Sequence, residues 1–383
     1  MKLFKRNKKE EAAVQTAASD GYHVGGLSLW GHSTISRCER KLYRELRKNV
    51  PIVDAAIGKI IRLVGGYRVI CMDTAVQREL TDFLQQVRVN GCQRGVRRFL
   101  ENHLDRLLTD GTAVGEMVLS GSGREIAALY NASLDDVVLS AEDDPFHVVC
   151  CVVQPSGEQV PVPYPDLLLI STLLTEDGQV YGTSVLRGMP FIGEVLRKIW
   201  QAIGMNWERV GNMRFVVSYH PNDNDRGFTK ERAAQIASEW SKAMRSSEPH
   251  DFVSIGEVSV KGIGADMSMP DAQVPVRMLV EQLLSKLSIP PFLLGLSWSS
   301  TERMSAQQAD MLTSELEYYR DQLDTVLRKI CDCWLKLHGY RCDYHIEWDD
   351  INLQDEVEQA RAALYRAQAQ KLQRGDNRQG EGE

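Results

Sequence analysis

The residues best equipped for chemistry lie near the C-terminus, where Cys331, Cys333, His338, Cys342 and His345 are ligands of the kind tetrahedral zinc takes. Their spacing speaks against a site. Two residues apart on a helix, Cys331 and Cys333 point to nearly opposite sides, so Cys333 reads as a core position. The run PNDNDRGF begins like a calcium loop, but counted from Asn222 its fifth position is Arg226 and its twelfth Ala233, where carboxylates are needed. It reads as a polar turn. Gly58-Lys59 is followed by Ile60, so the hydroxyl that a phosphate loop offers to magnesium is missing. Asp177-Gly178 and Gly182-Thr183-Ser184 supply a carboxylate and hydroxyls without a neighbouring histidine. Neither Gly-x-Ser-x-Gly nor His-Glu-x-x-His occurs. No catalytic residue, metal or cofactor is assigned, and the expectation is a protein that is not an enzyme.

The elements that must position any site come from a chain of 383 residues, 43% hydrophobic and 25% charged, which suits two or three folded domains. Eight irregularly spaced cysteines read as reduced thiols, not a disulfide framework. The longest apolar stretch, Leu287 to Trp298, is broken by Pro290 and Pro291 and is too short to span a bilayer. Lys2, Lys5, Arg6, Lys8 and Lys9 are followed by Glu10 and Glu11 where a signal peptide needs apolar residues, so a cytoplasmic chain is expected. Those five charges, removed from the net −7, leave −12 on the remainder. An acidic body does not grip nucleic acid broadly, because phosphate affinity comes from Lys and Arg displacing counterions.

Residues 1–21 read as a disordered basic arm. Lys41 to Leu63 reads as helix interrupted at Val50-Pro51, followed by helices over Val76–Val87 and Gly95–Leu108. After the Asp110-Gly111 turn come strands at Thr112–Ser120, Arg124–Tyr130, Val137–Leu139, His147–Gln154 and Leu167–Ser171. The pattern then changes to one long helix over 190–211, a small insert of strand (Arg214–Tyr219), helix (Lys230–Met244) and strand (Phe252–Ile263), and a return helix over Asp271–Leu287. Past Ile289-Pro290-Pro291 the longest helix of all carries Leu312, Leu316, Tyr319, Leu323, Val326, Ile330, Cys333 and Leu337 in a heptad-like seam. A strand (Tyr344–Trp348), a helix from Asp355 to about Lys371 and a polar tail complete the chain.

From Val50 to Ala363 the chain resembles the portal proteins of tailed bacteriophages. The resemblance rests on an ordered series: NVPIVDAAIGKIIRLVGG, DGTAVGEMVL, DLLLISTLLTEDGQVYGTSVL, LLSKLSIPPFLLGLSWSSTERMSAQQADML and EWDDINLQDEVEQARAAL. The passage from helix through Ile-Pro-Pro and a short loop into a Gln-rich helix start is its most specific part. What it implies is an α+β portal fold: wing (22–188), stem helices (189–212 and 269–289), clip (213–268), tunnel loop (290–302), long kinked helix with the rest of the wing (303–353), short crown helix (354–372) and disordered tail (373–383).

The resemblance also implies a function: a ring, dodecameric in the family, forming the DNA channel at the unique capsid vertex for packaging, retention and ejection, and nucleating head assembly. Its partners would be other copies of itself, the terminase large subunit, the major capsid and scaffold proteins, a head-tail adaptor and double-stranded DNA read without sequence preference, with no membrane. Its place would be the virion, and the host cytoplasm during assembly. The implied DNA-facing residues are Ser297, Trp298, Ser299, Ser300 and Thr301, in a loop without charge. The implied docking residues on the clip are Lys230, Glu231, Glu239 and Lys242. Another head-tail structural protein, minor capsid component or adaptor, is the alternative; a hydrolase assembled only in three dimensions is the alternative from the enzyme class.

Overall fold

The computed structural model describes residues 15–16, 37–141, 148–211, 214–220, 229–245, 257–263, 272–296 and 302–351. The arm apart from Gln15 and Thr16, residues 297–301 of the expected tunnel loop, the expected crown helix and the tail lie outside them. The chain divides into two compact units, residues 1–193 with 280–383, and residues 194–279.

In the first unit, α1 (Arg37–Asn49) and α2 (Pro51–Leu63) are separate helices. The break falls at Val50 (φ −121°), because the residue before proline is pushed out of the helical region while Pro51 itself starts the next helix well. β1 (Tyr67–Cys71) follows, then α3 (Thr74–Gln86), capped by the Asp73 carboxylate accepting from the amides of Ala75 and Val76. Two short strands, β2 (Arg88–Val89) and β3 (Gln93–Arg94), lead to α4 (Val96–Asp110). β4 (Thr112–Leu119), β5 (Ile126–Ala132), β6 (Val137–Ala141), β7 (Val148–Val153), β8 (Gln159–Pro161) and β9 (Leu168–Thr172) come next. β5 begins two residues later than the sequence suggests: the Ser120 amide bonds the Glu125 carbonyl at 2.8 Å and a bulge interrupts β4 at Val118/Leu119.

β4 is the middle of this unit. It pairs antiparallel with β5 on one side and with β9 on the other, in a five-stranded sheet of order β3-β2-β5-β4-β9. One face of the sheet packs on α4, whose Phe99 lies against Gly115. A second cluster, with Val114, Leu139, Cys150, Val162, Leu168 and Tyr181 among its members, joins β4 and β9 to the three-stranded sheet β6-β7-β8. Two segments quoted above meet behind β4. Gly111 (φ +77°) ends α4, and a Cβ on Gly182 would strike the Gly111 carbonyl oxygen, so the two backbones touch directly. The Leu173 amide bonds the Gly111 carbonyl at 2.8 Å, and the Ser184 hydroxyl donates to the Thr109 carbonyl at 2.6 Å.

After the second unit the first resumes with the buried residues of α7 (Gln273–Lys286), the turn through Pro290, and α8 (Glu302–His338), 37 residues long. α8 buries Leu312, Leu316, Tyr319, Leu323, Val326 and Ile330, as the seam predicts. Beyond that the expectation fails. Cys333 and Leu337 are only half-buried, while Leu327, Cys331, Trp334 and Leu335 fill the core. A straight helix of 3.6 residues per turn drifts by about 20° per heptad, so a strict 3.5 pattern leaves the buried face. β12 (Tyr344–Trp348) closes the unit by pairing antiparallel with β1.

The second unit carries α5 (Met189–Gly211) from Glu194 onward, β10 (Arg214–His220), α6 (Thr229–Arg245), β11 (Glu257–Ile263) and the start of α7. β10 and β11 pair antiparallel over seven residues, Arg214 opposite Ile263 through His220 opposite Glu257.

Candidate functional site

The residues on either side of the segment expected to be the tunnel loop are anchored. α7 stops at Lys286, the Ile289 amide returns to the Leu284 carbonyl at 3.1 Å, and Ile289 is buried. Pro290 has extended geometry and starts a short 3-10 turn, Pro291–Leu294, that Gly295 ends in the left-handed region (φ +76°). Successive prolines forbid continuation of the helix and left-handed glycine reverses the chain. α8 begins again at Glu302, with Leu312 and Leu316 already fully buried. The predicted Ser297, Trp298, Ser299, Ser300 and Thr301 lie between these ends, outside the described residues.

The residues expected to dock partners fall on α6. Lys230, Glu231 and Glu239 are exposed, while Ile236 and Trp240 are half-buried. The apolar spacing therefore turns one stripe inward and leaves the charges outward. The side chain of Lys242 lies outside the described residues. On α5, Trp200 and Trp207 are 56% and 61% exposed and stand one heptad apart.

The zinc-like residues have separate surroundings. Cys331 is fully buried and its thiol is pushed up by desolvation. His338 stacks on Trp334 with ring centroids 4.3 Å apart, its Nδ1 is 2.9 Å from the Trp334 carbonyl oxygen, and the Cys342 thiol donates to the Asp343 carbonyl. His345 Nε2 lies 3.3 Å from a Glu347 carboxylate oxygen. Among the described residues no group of His, Cys, Asp and Glu is placed to hold a metal ion, and no helix is long and apolar enough to cross a membrane.

Three features escape the sequence reading. Arg320 is buried on α8. Its Nε and Nη2 donate to the Val64 carbonyl at 2.9 and 2.7 Å, and Nη2 also donates to the Asp349 carbonyl at 2.6 Å. Its guanidinium lies 5.4 Å from the Trp348 ring centroid. One side chain thus ties the long helix to the end of α2 and the end of β12. On α1, Arg40, Arg44 and Arg47 share a face and pair with Asp135, Asp110, Asp54 and Asp105. Burial pushes the Asp110 carboxyl up against the pull of Arg44; the Asp135 carboxyl is only half-buried, and against that desolvation Arg44 and Arg40 hold it below the ordinary range. Each arginine of this cleft is met by a carboxylate, so it reads as glue joining α1 to α2, to α4 and to the turn between β5 and β6. His103 is fully buried against Phe99, with Nε2 3.0 Å from the Ser171 hydroxyl. Desolvation lowers its pKa to about 3, so it is a neutral imidazole.

No protein-family model matches the sequence, and no characterised protein matches it either. Solved structures do. A chain of the neck of the native gene transfer agent particle, computed with C12 symmetry, is 15% identical and overlays with a TM-score of 0.63 over 88% of this chain and 90% of that one. The chain has the fold of that neck protein. A chain of the native gene transfer agent virion gives 14% identity and a TM-score of 0.62 over 87% of this chain and 89% of its own length. An HK97-family phage portal protein from Corynebacterium diphtheriae is matched at 14% identity over 84% of this chain and 96% of that one, with a TM-score of 0.42. The shared α+β fold spans both units, so the likeness is of the whole chain and not of one sheet.

Proposed function

We propose that the chain is the subunit of a portal ring in a tailed-phage-like virion, a structural conduit for DNA and not an enzyme. The single observation that carries this reading is the chain-long overlay on a neck protein whose particle was computed with C12 symmetry. A closed ring needs two different faces on each subunit. The exposed Trp200 and Trp207 of α5 suit one of them, since large aromatics left in water favour burial against a neighbour. The acidic body suits a channel through which a polyanion must slide. Ser297, Trp298, Ser299, Ser300 and Thr301 would face the DNA, touching it through hydroxyls and a flat ring without a fixed positive charge. Lys230, Glu231, Glu239 and Lys242 would dock the terminase large subunit and then the adaptor. Dodecamer, capsid and scaffold contacts, and the passage through host cytoplasm belong to the same proposal.

Electron microscopy of the purified protein tests it. Rings with an axial hole, twelve-fold or close to it, support the proposal. A protein that stays monomeric at all concentrations, alone and with a terminase present, overturns it.

A further inference from the structure

We propose that Glu116 and the backbone of Tyr164 form an anchor site for an extended peptide, and that its occupant is this chain's own Gln15-Thr16. The inference does not depend on the portal reading.

Glu116 is the odd residue of β4. It stands opposite Tyr130 of β5 and Leu168 of β9, in the middle of the five-stranded sheet, and is 2% exposed. Among the described residues it has no ion-pair partner. A carboxylate removed from water needs donors, and here the strand pairing supplies none to its side chain. The arm supplies them. The Gln15 amide donates to one carboxylate oxygen at 2.9 Å; the Thr16 amide and hydroxyl donate to the other at 2.9 and 2.7 Å. Two consecutive backbone N–H groups thus take the two oxygens of one carboxylate, and Thr16 becomes completely buried.

A second grip fixes the register. The Gln15 side-chain amide donates to the Tyr164 carbonyl and accepts from the Tyr164 amide, both at 3.1 Å. A carboxamide carries its donor and its acceptor on two neighbouring atoms, spaced to meet the carbonyl and the amide of one residue. The site therefore reads a carboxamide followed by a hydroxyl residue. The contact also decides where the basic cluster can be. Lys9 is six residues from Gln15, so it stays within about 20 Å of it, whereas an arm tied down only at Arg37 would roam several times farther. The sequence presents residues 1–21 as one free arm; the site fixes Gln15 and Thr16 within it, with 14 residues before the anchor and 20 between Thr16 and Arg37.

Hydrogen–deuterium exchange of the full chain, read on peptides covering residues 10–20, tests the anchor. Each hydrogen bond to a charged acceptor is worth enough that the Gln15 amide should exchange at least about tenfold more slowly than in Thr16→Pro, which removes the neighbouring amide and bends the backbone. Thr16→Val keeps both amides and should keep most of the protection. Glu116→Gln, with one acceptor oxygen instead of two, should lose much of it while the chain stays folded by circular dichroism. Exchange at the free-peptide rate in the wild type, or equal exchange in Thr16→Pro, overturns the anchor. Protection that appears only as subunits assemble places the arm on a second copy and overturns the assignment of the occupant.

Discussion

Replacing Arg320 by methionine keeps the length and the apolar stem of the side chain and removes its donors. The Val64 and Asp349 carbonyls lose charged partners at 2.7–2.9 and 2.6 Å. Hydrogen bonds to a charged group contribute about 1.5–3 kcal/mol each, and the stacking over Trp348 adds about 0.5–1 kcal/mol. Against this, the cost of desolvating the guanidinium, visible in its lowered pKa, disappears. The balance is a destabilisation of about 3–5 kcal/mol. Arg328, two turns along the same helix and paired with Asp324 in the exposed i, i+4 arrangement, is the natural control. Its conversion to methionine should cost less than about 0.5 kcal/mol. Urea unfolding of both variants, followed by circular dichroism and by the fluorescence of the tryptophans, measures the difference. Equal midpoints for Arg320→Met and Arg328→Met would refute the view that one buried cation joins α8 to α2 and β12.

His103 should make stability fall in acid: the folded state holds it neutral down to about pH 3 while the unfolded chain binds a proton near pH 6.5, so its contribution is complete above pH 6.5 and is lost on descent at about 1.4 kcal/mol per pH unit. His103→Gln should flatten the slope of unfolding free energy between pH 6 and 4 by about that amount, and an unchanged slope would show that His103 is protonated in the fold. Gly182→Ala should cost about 2–4 kcal/mol by forcing the Gly111 and Gly182 backbones apart, read as a lowered urea midpoint. Trp298→Ala should spare ring assembly and impair packaging or retention of DNA, and Ser299→Lys should slow DNA passage more at low salt than at high; normal packaging by both across salt concentrations removes the loop from the mechanism. Reversing the charges of Glu239 and Lys242 together should weaken terminase binding without disturbing rings, and unchanged binding in a pull-down moves the docking surface elsewhere.

Local chemistry in the sequence was enough to read the long elements. The proline after Val50, the Asp110-Gly111 turn and, as far as Ile330, the apolar period of α8 each act over a few residues, and each appears in the structure where its physics puts it. What escaped depends on partners far away in sequence. β1 is five residues long and becomes a strand only because Tyr67 meets Trp348 at the other end of the unit. β2 and β3, two residues each, carry no period at all. Arg320, beside the apolar seam, has the composition of a solvent-facing position; only the bare carbonyls of Val64 and Asp349 make its burial favourable.

Of the candidate site, the residue types in the loop and on α6 were legible, and α6 does turn its charges outward. The anchor at Glu116 was not, although a signal for it stands in TAVGEMVL. A single carboxylate in an otherwise apolar central strand cannot stay dry without donors. No lysine or arginine opposes it across the sheet, and its donors are two backbone amides and a hydroxyl from a segment outside the strand order. A polar segment outside the strands and helices is one that can bring free amides to such a place. The absence of a hydrophobic pattern in residues 10–21 and the presence of one charge in β4 are therefore two halves of the same statement, and each is unreadable without the other.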